Sequence, residues 1–187
     1  GIFNGLGSDV TVLYRGAEIL RGFDLDVRAT LHEQMTARGI DIRCDTDVQA
    51  INRTGSGFVL TLKDFEEVEA DLVLYATGRA PNVEGLGLEA AGVELNGWGA
   101  IKVDPYSRTS VPHIFAVGDV TDRLQLTPIA LREGAAVAET LFNERPMAVD
   151  HENVPTAVFS NPPIGTVGLT EEDAIARHGA VDIYKTS

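Results

Sequence analysis

Val10-Thr11-Val12-Leu13-Tyr14-Arg15-Gly16-Ala17-Glu18-Ile19-Leu20-Arg21 is the stretch on which the fold turns. Its first five residues are a β-branched and apolar run, the pattern of a strand buried on both faces, and Arg15-Gly16 ends it. Just upstream, Ile2-Phe3-Asn4-Gly5-Leu6-Gly7 reads as the tail of a helix closed by glycine. A helix passing directly into a buried strand is the crossover of an α/β fold. The helix has no N-cap of its own, so the chain is expected to begin within an element.

Working outward, Val27, Leu31 and Met35 recur at spacing four, and Gly39 follows as a stop, which predicts an amphipathic helix over 24–38. Residues 40–44, 48–52 and 58–62 alternate, with Thr54-Gly55-Ser56-Gly57 as a turn, and predict a short antiparallel meander. Asp71-Leu72-Val73-Leu74-Tyr75-Ala76 predicts another buried strand, stopping at Thr77-Gly78-Arg79 ahead of Pro81, with a domain boundary at 79–83. A glycine-rich loop region leads to a predicted strand over 114–117, which ends in Gly118-Asp119. A helix is predicted from Pro128 to Phe142, with proline at the favoured first position. Polar residues 143–153 read as a connector. Beyond them come a strand over 156–159, the turn Pro162-Pro163, and a helix opened by Thr170 with Glu171, Glu172 and Asp173 in its first turn. Three units are expected: 1–80, 81–150 and 151–187, the last cut short.

The formal charge is -13, from 15 Lys+Arg against 28 Asp+Glu, which opposes attraction to nucleic acid or to an anionic membrane face. No apolar run approaches the roughly 20 residues that cross a bilayer. A soluble, cytoplasmic protein with small-molecule or protein partners is expected. Cys44 is the one cysteine, so no internal disulfide forms, and it reads as a small buried filler. His32, His113, His151 and His178 lack ligand spacing, and no metal site is expected.

Two constellations carry chemistry. A dinucleotide fold that prefers NAD places an acidic residue at the end of this kind of strand, to bond the ribose 2′-hydroxyl. Here stands Arg15, with Arg21 six residues on, and two guanidinium groups suit a dianionic 2′-phosphate. The cofactor implied is NADPH. The plainer reading is two exposed arginines solvating a loop. The Gly-x-Gly-x-x-Gly turn that cradles the pyrophosphate would lie before Gly1, so weak nucleotide binding by this chain is expected. The second constellation is Gly118-Asp119 at a strand end, where open α/β sheets bind ligands. Asp119 suits a ribityl hydroxyl of FAD, although the same pair also makes an ordinary turn. Leu126-Thr127-Pro128 opens a helix whose amide groups suit the pyrimidine end of a flavin.

Ala76-Thr77-Gly78-Arg79-Ala80-Pro81-Asn82, Phe115-Ala116-Val117-Gly118-Asp119-Val120, Leu126-Thr127-Pro128 and the run from Val154 through Pro162-Pro163-Ile164-Gly165-Thr166-Val167-Gly168-Leu169-Thr170 resemble, in order and spacing, landmarks of the pyridine nucleotide-disulfide oxidoreductases. Within that family the arginine pair and the Pro-Pro-Ile-Gly-Thr-Val-Gly-Leu run most resemble the glutathione reductases. The resemblance implies a Rossmann-like NADPH-binding half with a meander (1–80), a closing segment of an FAD domain (81–150) and the start of an α+β dimerisation domain (151–187). It implies that Arg15, Arg21, Gly78 and Arg79 attend NADPH, and that Gly118, Asp119, Leu126 and Thr127 attend FAD. It further implies a homodimer that passes electrons from NADPH through FAD and a cysteine pair to glutathione disulfide.

The departures count equally. The family's Cys-x-x-x-x-Cys stretch and its His-Glu pair are both outside this chain, so no catalytic residue is assigned within it and an internal piece without turnover is expected. Ala135 stands where some glutathione reductases resemble one another in a basic residue, and trypanothione reductases look similar to this chain there. A mercuric or dihydrolipoamide reductase relative fits less well with the arginine pair. A folded module without activity is the alternative of a different class.

Overall fold

A computed structural model describes residues 1–186. The chain divides into two compact units, one made of Gly1–Tyr75 with the residues from Asn153 onward, the other of Ala76–Glu152.

The first unit opens with the short helix α1 (Ile2–Gly5) and the strand β1 (Val10–Leu13). Helix α2 (Leu25–Thr36) follows, its N-terminus capped by Asp24, whose carboxylate accepts the Asp26 N–H at 3.0 Å. Of the stripe read from the sequence, Leu31 is buried and Val27 and Met35 are half-buried, and Ile40 in the next strand is buried too. Gly39 turns the chain with φ of +85°, where a side chain would be strained. Strand β2 (Ile40–Arg43) then pairs parallel with β1, Val10 opposite Ile40 and Leu13 opposite Arg43. This corrects the meander expected from residue 40 onward. A helical crossover returns the chain beside β1 in the same direction, whereas alternation alone says nothing about a strand's partner. The meander proper is β3 (Val48–Arg53), β4 (Phe58–Leu62) and β5 (Glu67–Ala70), all antiparallel, with Leu60 and Leu62 in its core. Strand β5 went unread, although Val68 between two glutamates carries the period of two.

Two further expectations fail. β1 is not buried on both faces, since Thr11 is exposed. Residues 71–76 form no strand, and Leu72, Leu74 and Tyr75 are 74%, 71% and 69% exposed. An apolar segment becomes a strand only where a neighbour takes up its N–H and C=O groups, and this one has none among the described residues.

Later in this unit, β6 (Thr156–Val158) pairs antiparallel with β7 (Ile164–Thr166) around the Pro162-Pro163 turn. Helix α5 (Glu171–His178) is capped as expected, Thr170 Oγ1 accepting the Asp173 N–H at 3.1 Å.

The second unit packs Val93, Ile101 and Ala116 into a core, flanked by Val83, Leu88, Val103, Val111, Ile114 and Val120. It holds the one-turn helix α3 (Leu88–Ala91) and the long helix α4 (Thr127–Phe142). The strand expected over 114–117 is reduced to a single bridge, Phe115 opposite Arg108. The reason is again pairing: the Ala116 N–H finds the Ser107 carbonyl at 3.0 Å, and no continuous ladder extends it. Gly118–Thr121 then winds into a 3₁₀ turn.

Candidate functional site

In the first unit the end of β1 delivers a loop that carries both arginines of interest. The loop is tied down from below: Arg28 on α2 donates from Nε to the Ile19 carbonyl (2.7 Å) and from its terminal nitrogen to the Glu18 carbonyl (2.6 Å). Tyr14 N–H bonds the Arg43 carbonyl and Asp45 N–H bonds the Gly16 carbonyl, both at 2.9 Å. On this anchored backbone Arg15 and Arg21 are exposed, and neither has a hydrogen-bond or ion-pair partner among the described residues. Two uncommitted guanidinium groups on one loop suit a phosphate dianion, because each fork can be spent wholly on the ligand.

In the second unit Gly118 sits at φ of +72°, and a Cβ there would stand 3.1 Å from Ala130 Cβ on α4. Glycine therefore lets the turn lie directly against that helix. Asp119 follows, exposed, with its carboxylate 4.0 Å from the Arg79 guanidinium. Arg79 and Asp119, one read toward the nicotinamide nucleotide and the other toward the flavin, thus stand together. An exposed pair at that separation contributes about 0–1 kcal/mol, so a ligand hydroxyl can exchange with it at little cost. Gly78 is exposed at φ of +128°. Leu126 is the N-cap position of α4 and supplies no side-chain cap, and Pro128 in the first turn has no N–H to satisfy. The Ile129 and Ala130 N–H groups both reach the Leu126 carbonyl, at 3.0 and 3.1 Å, so in this first turn the exposed Thr127 carries the N–H that an electron-rich group could meet.

Sequence reasoning missed what holds this turn in place. Glu133, only 1% exposed, accepts the Gly118 N–H at Oε2 (2.6 Å) and pairs at Oε1 with Arg123 (2.9 Å) and the His151 ring (2.7 Å). Arg123 also donates to Ser107, and Thr121 Oγ1 donates to the Gly118 carbonyl at 2.8 Å. A carboxylate on the inward stripe of α4, between Ile129 and Ala136, was the available signal, since a buried charge implies partners.

Nor are all the histidines isolated. Glu18, His32 and Cys44 bring one ligand atom each to within 4.8 Å of one another, and each is half-buried. Burial, and the Glu18 carboxylate nearby, push the Cys44 thiol above its ordinary pKa.

A strand-helix-strand crossover with parallel pairing places the first unit in the α/β class. Residues 1–134 match the family described as pyridine nucleotide-disulphide oxidoreductase, and residues 154–187 match the dimerisation domain of that family. The chain belongs to the pyridine nucleotide-disulphide oxidoreductases. It is 50% identical over 184 residues to glutathione reductase of Burkholderia cepacia, covering 98% of this chain and 41% of that protein. Against glutathione reductase of Nostoc sp. the identity is 50% over 200 residues, covering 100% and 44%. Trypanothione reductase of Trypanosoma congolense is 47% identical over 189 residues, covering 98% and 38%. Among solved structures, the HOCl-induced flavoprotein disulfide reductase RclA from Escherichia coli superposes with a TM-score of 0.89 at 33% identity, covering 96% of this chain and 41% of that one. The chain thus spans about two fifths of the length of the curated relatives it matches. Among the described residues, no helix is long and apolar enough to cross a membrane.

Proposed function

We propose that this chain is part of an NADPH-dependent flavoprotein that reduces glutathione disulfide as a homodimer. Three portions contribute: 1–80 to nucleotide binding, 81–150 to flavin binding and 151–187 to dimerisation. The observation that carries the reading is the pair of unpartnered guanidinium groups, Arg15 and Arg21, on a loop held rigid by Arg28. They would grip the 2′-phosphate, with Gly78 and Arg79 alongside the same cofactor. Gly118 and Asp119 would receive the ribityl chain of FAD, and Leu126 and Thr127 would face its pyrimidine edge at the start of α4. When bound, FAD supplies two-electron transfer between a nicotinamide and a disulfide. The residues present bind and orient; none of them is a redox cysteine pair, which the reading assigns to the remainder of the polypeptide.

A second reading is favoured by one residue. Ala135 is exposed on α4 where a basic side chain is expected beside an anionic disulfide, and its absence suits a less acidic substrate such as trypanothione disulfide.

The test is nucleotide discrimination in the complete parent polypeptide. Replacing Arg15 and Arg21 by Gln removes charge-assisted bonds worth about 1.5–3 kcal/mol each. NADPH affinity is expected to fall about ten- to a hundredfold per substitution, with NADH affinity nearly unchanged. Equal loss of both nucleotides overturns the phosphate assignment, and a complete protein without bound flavin overturns the flavoprotein reading.

A further inference from the structure

Apart from the residues assigned to the two cofactors, three donors of different chemistry converge from three elements. Glu18 comes from the loop after β1, His32 from α2 and Cys44 from the residue following β2. His32 Nδ1 lies 2.7 Å from Glu18 Oε1, and the cysteine sulfur completes a set whose members all fall within 4.8 Å of one another. We propose that Glu18, His32 and Cys44 form a three-ligand site for a divalent ion of the zinc class.

The donor set selects the ion. Carboxylate oxygen, imidazole nitrogen and thiolate sulfur are the three ligand types that zinc takes, whereas calcium and magnesium want oxygen throughout. Three protein ligands leave a fourth position for water, as in zinc sites that stay open rather than purely structural ones. On bond lengths of about 2.0–2.3 Å, ligand atoms in a tetrahedral site stand roughly 3.3–3.8 Å apart. From separations of 2.7 Å for the His32–Glu18 pair and at most 4.8 Å within the set, side-chain shifts of up to about 1.5 Å reach that geometry.

The frame is already rigid. Cys44 follows the last residue of β2, which is locked in parallel register to β1. His32 projects from the middle of a capped helix. Glu18 is held through its carbonyl by Arg28 and through its carboxylate by the neighbouring Ile19 N–H at 2.8 Å. The Arg28 charge opposes a cation here, and its Nε and one terminal nitrogen hold it on the Ile19 and Glu18 carbonyls. Binding exchanges the thiol proton of Cys44, which leaves to solvent, for the metal. The plainer arrangement is a His–Glu hydrogen bond beside a packed thiol; the metal site engages all three donors at once.

Cobalt(II) is the spectroscopic probe, because Cys44 is the one cysteine in the chain and any thiolate-to-cobalt charge-transfer band therefore belongs to it. Titrating the 187-residue chain with cobalt is expected to raise that band to saturation at one equivalent, and zinc is expected to abolish it by displacement. Cys44→Ser should remove the band, and His32→Phe and Glu18→Gln should each weaken zinc binding at least about tenfold by calorimetry. No band, or a band indifferent to His32→Phe and Glu18→Gln, overturns the site. Should a variant lose its circular dichroism, the unmodified chain decides: zinc must slow iodoacetamide alkylation of Cys44 in mass spectra, and an unchanged rate overturns the proposal. Nucleotide plays no part in these readouts, so their failure leaves the proposed function untouched.

Discussion

Replacing Glu133 by Ala is expected to be the most damaging single change in the second unit. The carboxylate is 1% exposed and satisfies three groups at once: the Gly118 N–H at 2.6 Å, Arg123 at 2.9 Å and His151 at 2.7 Å. Deleting it strands a buried backbone donor, which costs about 1–3 kcal/mol. It also strands a guanidinium, and removing one partner of a buried pair costs about 3–5 kcal/mol. Arg123 is 22% exposed, so water recovers part of the second penalty and the total is placed at about 3–4 kcal/mol. Against a typical domain stability of about 5–15 kcal/mol, that is a large fraction. The assay is urea denaturation followed by circular dichroism, with Glu133→Gln alongside. Glutamine keeps an acceptor for the Gly118 N–H and loses only the charge, so it should cost about 1–2 kcal/mol. An alanine variant within about 1 kcal/mol of wild type would refute the claim that this carboxylate holds the Gly118–Thr121 turn. A glutamine variant as damaged as alanine would refute the division between charge and hydrogen bond.

Gly118→Ala should cost about 1–2 kcal/mol for the left-handed backbone alone, more if Ala130 cannot move from a Cβ 3.1 Å away; denaturation midpoints measure it, and a neutral outcome would mean the turn is free to reorganise. Asp24→Ala removes the cap of α2 and should cost about 1 kcal/mol, read in the same melts. Backbone N–H bonds from Glu171 and then Asp26, with Lys185 close by, hold the Asp24 carboxyl below its ordinary pKa. A depressed pKa means stability present above the unfolded value of about 4 and lost as pH falls through the folded one. Wild type should therefore lose stability over that acid window faster than the Ala variant, and parallel acid profiles would contradict the assignment.

What was legible in the sequence was what short-range chemistry fixes. Thr170 as a cap, Gly39 as a stop and the spacing of Val27, Leu31 and Met35 each act within a turn or two, so the helices stand close to where they were expected. The landmark motifs likewise named the family, because they are read in order along the chain. Strand identity was a different matter. Residues 71–76 and 114–117 have strand composition, but a strand exists only with a partner, and pairing is settled between segments distant in sequence. Ile40–Arg43 looked like the first leg of a meander, and only the crossover through α2 made it the parallel neighbour of β1. The same limit hid Glu133, whose partners lie 15 residues before it and 18 after it, and the meeting of Glu18, His32 and Cys44. By itself the sequence determined the local elements and the family; the tertiary structure alone decided which polar groups meet, because burial in a low-dielectric interior compels each charge to find a partner that no local pattern names.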